Sequence, residues 1–183
     1  MDINKDGKIN AADRQIYGQA VPKFIGGFNN NFKYKNFDAS VFLSFQKGNL
    51  VYNRNRAYGE NGGTRADRMY FPSQRTAWQK PGDITDLPRI TTVGTNYTLD
   101  PTSRVIEDGS FLRLKTLTVG YTFPKTVLEK INVSSLRIYF AGSNLWLWSK
   151  YTGFDPESNV TLGDDFCNPP QPRSFQLGIN ITL

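Results

Sequence analysis

Asp2, Asn4, Asp6, Asn10 and Asp13 stand at positions 1, 3, 5, 9 and 12 of the stretch DINKDGKINAAD. Gly7 occupies position 6, and Lys8 at position 7 offers its main-chain carbonyl. Hard oxygen donors spaced two apart around a tight glycine turn suit Ca2+ in the manner of an EF-hand loop, and do not suit zinc. Ile9 at position 8 supplies the apolar anchor. Asp13 is shorter than the usual glutamate at the last position, as in dockerin-type loops, which weakens a bidentate bite. Only AADRQIYG, immediately after the donors, could form a following helix. The expected ion is structural: it stiffens a loop and does no chemistry. The competing reading is a polar, Asx-rich turn with no metal.

Other candidate chemistry is thin. The 183 residues include no histidine and one cysteine, Cys167. This removes the commonest general base, every Ser-His-Asp or Cys-His arrangement and any internal disulfide. No catalytic residue is assigned, and an enzyme is the least supported class. Glu107-Asp108 and Asp164-Asp165 read as solvated loops or turns, and Asp155-Pro156-Glu157 as a turn. Trp78, Tyr58, Tyr70 and Tyr97 lie in an irregular stretch and are candidate ligand contacts, able to stack on sugars. The net charge of +6 comes from basic residues scattered singly. Nucleic-acid binding would want them clustered. No run of eighteen apolar residues offers a transmembrane helix, and the first residues carry no signal-peptide pattern. An export signal, if there is one, belongs to a longer parent chain.

The elements around these residues are strands. Thirteen Phe, nine Tyr and three Trp in a weakly hydrophobic chain suggest pleated strands with one apolar face. Phe24, Gly26, Phe28, Asn30, Phe32 and Tyr34 share one parity; Phe37, Ala39, Val41, Leu43 and Phe45 share the next. Period two predicts strands over 24–35 and 36–47, joined by a tight turn at Lys35-Asn36. Residues 48–108 read as a long irregular stretch with helical turns near 53–58 and 73–79. A third strand is expected over 110–123, with a bulge or the end of the apolar band near Arg113 and Lys115. Pro124 ends it. A short connection with one helical turn leads to a strand over 134–148, then a second loop over 149–171. In the last strand, 173–183, Phe175, Leu177, Ile179, Ile181 and Leu183 alternate with polar residues or glycine without exception.

Alternation alone suits a soluble β-sandwich as well as a membrane barrel. Two features favour the barrel. The strands are ten to fifteen residues long, against about 9–11 for a tilted bilayer-spanning strand and a usual mode of about 5–6. The connections also alternate short and long, as periplasmic turns and extracellular loops do. Aromatic residues gather at strand ends: Tyr34, Phe37, Tyr121 and Phe123 by the short turns, and Trp146, Trp148 and Tyr151 by a long loop. That fits two interfacial girdles.

The stretches DINKDGKINAADRQIYG, PKFIGGFNNNFKYKNFDASVFLSF, EDGSFLRLKTLTVGYTFP, SSLRIYFAGSNLWLWSKYTGFDPE and PQPRSFQLGINITL, in this order, resemble the C-terminal part of a TonB-dependent outer-membrane receptor of the SusC/RagA type. The resemblance implies an all-β fold: an antiparallel transmembrane barrel segment, about the last five strands of a 22-stranded barrel with long extracellular loops. It divides the chain into a calcium loop, 1–18, within an extracellular loop, and barrel strands and loops, 19–183. It implies a fragment of a nutrient receptor in the outer membrane of a Gram-negative bacterium. The expected partners are a SusD-type lipoprotein, TonB acting through a missing N-terminal part, a glycan or peptide ligand and the lipid bilayer. Gln176, Gly178, Ile181 and Leu183 fill the pattern read by the barrel-insertion machinery, with Leu183 departing from the usual aromatic end. The alternative is a secreted carbohydrate-binding β-sandwich carrying a dockerin-like calcium loop.

Overall fold

The computed structural model describes residues 2–7, 11–63, 69–91, 102–129, 132–157 and 163–183. Eight strands and two short helices are described: β1 (Phe24–Tyr34), β2 (Phe37–Lys47), β3 (Leu50–Asn53), α1 (Arg54–Gly59), β4 (Ile106–Asp108), β5 (Phe111–Thr122), α2 (Lys125–Leu128), β6 (Ser135–Ser149), β7 (Asp164–Asp165) and β8 (Ser174–Thr182). A 3-10 turn spans Pro72–Thr76. All five long strands lie within one or two residues of their expected bounds. The helical turns expected near 53–58, 73–79 and after Pro124 are also present.

The chain divides into two compact units. The sheet unit comprises Pro22–Gly48, Ser110–Lys150 and Pro170–Leu183. Its five strands are antiparallel in the order β1-β2-β5-β6-β8. Lys35, at φ 52, makes the two-residue turn between β1 and β2. The Asn36 side chain donates to the Thr122 carbonyl at 2.6 Å, and Thr122 N donates to the Asn36 carbonyl at 2.9 Å, tying the turn to the end of β5.

Register settles the ambiguity at Arg113 and Lys115. Phe42 pairs with Thr116 but Leu43 with Leu114, so Lys115 is the extra residue of a bulge. Leu112 and Leu114 thereby stay on the face of Leu117, Val119 and Tyr121, while Arg113 turns to the other. A further extra residue in β6 puts Trp146 and Trp148 opposite Leu114 and Leu112. One face therefore runs Phe32, Ala39, Val119, Phe140, Leu177 across all five strands. Among the described residues no second layer covers it at its far edge, where Phe175, Leu177, Ile179 and Ile181 are 65%, 79%, 62% and 60% exposed. A β-sandwich would have buried them, so the sandwich alternative finds no support here.

The opposite face is polar. Arg137 reaches Asp38 through two guanidinium nitrogens, at 3.0 and 2.5 Å, and lies over the Tyr139 ring at 5.0 Å. It can do so because Gly120 lies beneath the guanidinium, where any Cβ would collide with it. Gly178 clears the same kind of space under the Tyr139 ring.

The second unit comprises Met1–Val21, Asn49–Gly109 and Tyr151–Pro169. These are the segments that lead into β1, link β2 to β5 and link β6 to β8. The boundary between the two units is interleaved along the chain. Within the described part of the stretch read as irregular, β3 pairs antiparallel with β4, and β7, from the other connection, pairs parallel with β3. Among the described residues, Val51, Ala57, Ala77, Leu87, Val105 and Tyr151 are its buried apolar side chains.

Candidate functional site

The insertion unit is held by a polar network that begins at a helix cap. Asn53 precedes α1, and its side-chain oxygen accepts from Arg56 N at 3.0 Å, satisfying a helix-start amide. The helix then sets Arg56 and Glu60 one turn apart, with Arg56 Nε donating to Glu60 Oε2 at 2.8 Å. Glu60 also accepts from Arg104 at 2.6 Å and from the Ser73 hydroxyl at 2.9 Å. Arg56 reaches Asp86 at 2.5 Å and Glu107 at 3.5 Å. Burial disfavours the Arg56 charge, but the bonds and charges of Glu60 and Asp86 outweigh it and hold its pKa above the usual guanidinium value. Glu107 accepts in turn from Thr152 N at 2.8 Å and Asn53 Nδ2 at 3.2 Å.

The carboxylate pairs therefore differ from the solvated turns expected. Glu107 is an anchor of the network. Asp164 pairs with Arg54, and Asp165 is 1% exposed, accepting from the Tyr151 hydroxyl at 2.6 Å. Burial first, then Asp165, pushes the Tyr151 pKa well up. Tyr151 thus leaves the expected girdle of Trp146 and Trp148: its hydroxyl has a buried partner inside the insertion unit. Asp155-Pro156-Glu157 is the turn expected, closed by Glu157 N on Asp155 Oδ1 at 2.9 Å.

Beside this network lies a pocket of about 430 Å³. Its polar lining includes Asn53, Asn55, Arg56 and Glu60; Phe71 and Phe154 are its aromatic walls. Of the aromatic residues singled out in the sequence, Tyr97 lies outside the described residues. Tyr58 stacks on Phe166 at 5.1 Å, and Trp78 N bonds the Leu87 carbonyl. Neither they nor Tyr70 line the pocket. Phe71 and Phe154 carried no periodic signal; their neighbours Pro72 and Gly153 mark only that they lie in loops.

In the N-terminal loop, Asp2 Oδ2 accepts from Gly7 N at 2.9 Å and Asn4 Oδ1 from Asp6 N at 3.1 Å. Asp13 Oδ1 accepts from Ile3 N at 2.7 Å, closing the loop from its far end. Gly7, at φ 80, makes the sharp turn. Asp2 Oδ1 is shielded from water without a hydrogen-bond partner. Lys8 and Asn10 lie outside the described residues. Among the described residues, no three His, Cys, Asp or Glu side chains converge as a metal cluster. Of the insertion-signal residues, Gln176, Gly178 and Ile181 lie within β8, and Leu183 follows it.

Comparison with known proteins agrees with this architecture. No family model matches the chain. TonB-dependent receptor P3 of Formosa agariphila is 33% identical over 190 residues, 98% of this chain. TonB-dependent receptor SusC of Bacteroides thetaiotaomicron is 30% identical over 188 residues, 99% of this chain. The chain spans only 18% and 17% of their lengths. The solved RagAB peptide transporter superposes with a TM-score of 0.79 at 25% identity, over 95% of this chain and 19% of that one. Along nearly its whole length the chain is similar to TonB-dependent receptors of the SusC/RagA type, and its long antiparallel sheet matches a stretch of their barrel wall. Its relatives are receptors of the Bacteroidetes outer membrane, transporters and not enzymes.

Proposed function

We propose that this chain supplies barrel wall and external insertions to an outer-membrane receptor that imports nutrients with energy relayed by TonB. The supporting observation is the uncovered apolar face running across β1, β2, β5, β6 and β8. In water its exposure costs roughly 25 cal/mol per Å²; in hydrocarbon it costs nothing. Edge strands β1 and β8 leave backbone groups unpaired, which lipid does not tolerate, so further strands of a larger barrel complete the wall. The β8 residues Gln176, Gly178 and Ile181, with Leu183, serve as a barrel-insertion signal. A SusD-type lipoprotein is the expected lid. The cargo class is an oligosaccharide, or a peptide as in the RagAB importer. Exported in a Gram-negative host as part of its complete receptor, the chain should fractionate with the outer membrane and resist carbonate extraction. A folded monomer in buffer without detergent would sink the reading.

We also assign a structural Ca2+ to the N-terminal loop. Asp2, Asn4, Asp6, the Lys8 carbonyl, Asn10 and Asp13 would hold it, and the ion would stiffen the loop. The donor chemistry and the unpartnered Asp2 Oδ1 support this fit. Saturating Ca2+ at a hundred times its Kd should stabilise the full chain by about 2.7 kcal/mol. The check is thermal melting in CaCl2 against EGTA. No shift, or the same shift in Asp6→Ala, ends the proposal.

A further inference from the structure

Lys47 ends β2 on the parity of Phe37, Val41 and Phe45, opposite Phe24 of β1, so its side chain leaves the sheet on the apolar face. In β6 the parity of Trp146 and Trp148 next reaches Lys150, one residue past the strand. In β8 the parity of Leu177 and Phe175 reaches Arg173, one residue before the strand. On three strands, then, the apolar-face position beyond the last aromatic ring is a cation. Register sets two of them in one row. Gln46 pairs with Phe111 and Phe111 with Ser149, so the next step places both Lys47 and Lys150 beside Ser110. Ser110 ties the two flanks together: Gly48 N donates to its hydroxyl at 3.1 Å, and the Ser149 hydroxyl donates to its carbonyl at 2.8 Å. Two strand spacings, about 10 Å, separate the lysine backbones. Arg173 follows on the neighbouring strand, one step past the Ser143–Ser174 pair.

The sheet unit does not neutralise these charges itself. Its three segments hold eleven Lys and Arg against two acids, Asp38 and Glu129. Asp38 is paired with Arg137, and Glu129 caps α2 in the short β5–β6 connection. Among the described residues no ion pair or hydrogen bond engages the side chains of Lys47, Lys150 or Arg173, and all three residues are exposed. By contrast the Lys35 ammonium, at the β1–β2 turn, lies over the Tyr34 ring at 5.5 Å. A cation facing lipid is costly at the midplane and nearly free at the interface, so the three mark a headgroup level. Their long stems reach towards it from the apolar face. Trp146 and Trp148, 48% and 57% exposed on that face, sit at the boundary that indole rings prefer. The cations stand where the long connections leave the sheet, the side that faces out of the cell in such barrels. In a Gram-negative outer membrane the lipid of that leaflet is a phosphorylated glycolipid, and its charge complements theirs.

We infer that Lys47, Lys150 and Arg173 form a binding site for the phosphate of a glycolipid of the lipid A type, with Trp146 and Trp148 against its sugar–acyl boundary. The site rests on the reading of this sheet as outer-membrane barrel wall. The complete receptor, delipidated in neutral detergent, would be titrated with bisphosphorylated lipid A, the same lipid stripped of phosphate, phosphatidylglycerol and inorganic phosphate. Native mass spectrometry counts the bound copies and gives the dissociation constant of the first. Lipid A should bind more tightly than any other probe. Each cation near an anionic surface is worth about fivefold in affinity. Lys47→Gln with Lys150→Gln should therefore weaken lipid A binding about 25-fold, and Arg173→Gln in addition roughly a hundredfold. Lys35→Gln with Lys125→Gln removes the same charge by the short connections and should leave binding unchanged. Lys47→Arg with Lys150→Arg should preserve it. Every variant should keep the parent melting temperature, since the side chains changed are exposed. The site is refuted by equal binding of the dephosphorylated lipid, by preference for phosphatidylglycerol or inorganic phosphate, or by equal losses in the two glutamine pairs. A parent receptor that never reaches the outer membrane would remove the barrel-wall reading and the site with it. A receptor that reaches it, with lipid A binding indifferent to the variants, would remove the site alone.

Discussion

The two units of this chain place their apolar and polar residues in opposite ways. In the sheet unit the large apolar side chains of β8 lie open, and order comes from long backbone ladders. In the insertion unit Asn53, Glu60, Asn61, Gln74, Asp155 and Asp165 are all buried, and order comes from side-chain hydrogen bonds between distant segments. The first unit is built for a solvent that is not water. The second holds its polar groups by pairing them, which makes each partner hard to lose. The contrast teaches that regular period and irregular composition do not separate ordered from disordered parts of this chain. They separate two ways of satisfying the backbone.

The sharpest attack on the contrast is at Glu60. Glu60→Ala leaves Arg56 and Arg104 without their shared partner. It should destabilise the insertion unit by about 3–5 kcal/mol, read as loss of hydrogen-exchange protection over α1 while β5 and β6 stay protected. Uniform loss across both units would deny their independence. Next in size is Leu177→Arg on the open face, expected to cost about 2–4 kcal/mol in a bilayer near its midplane. Refolding into lipid vesicles would show it; a neutral outcome would mean that the face does not meet hydrocarbon.

Tyr151→Phe should cost about 1–3 kcal/mol by stripping Asp165 of its donor. The parent should show a pH effect as well. With the Tyr151 pKa raised in the folded chain, its contribution is present in full below the unfolded value of about 10. Above that value the unfolded chain sheds the proton while the folded chain keeps it, so stability falls as pH rises. Near-ultraviolet denaturation curves between pH 8 and 11 should show this slope in the parent and a flatter one in Tyr151→Phe. The smallest effect belongs to the sheet unit: Lys35→Gly should stabilise the β1–β2 turn by roughly 1 kcal/mol, relieving a left-handed lysine. Denaturant midpoints would register it.

Much of the sheet was legible because period two needs only neighbouring residues. Phe175, Leu177, Ile179 and Ile181 announce one face without reference to anything distant. The bulge at Lys115 was legible only as a disturbance, since its outcome depends on which residues of β2 and β6 lie opposite. Glu107, Asp165 and Tyr151 were misread because their partners lie 14 to 54 residues away, and composition cannot show a hydrogen bond to a residue not yet brought near. Phe71, Phe154 and Asn55 were passed over for the same reason.

What the sequence by itself determined is the local geometry of this protein: where strands run, which side chains share a face, and where Gly and Asx residues force turns. Only the tertiary structure decided which carboxylates are solvated and which are anchors, and which aromatic rings wall a pocket. The first follows from backbone sterics repeated every two residues. The second depends on segments far apart in the chain meeting in space, where burial gives each polar pair its strength.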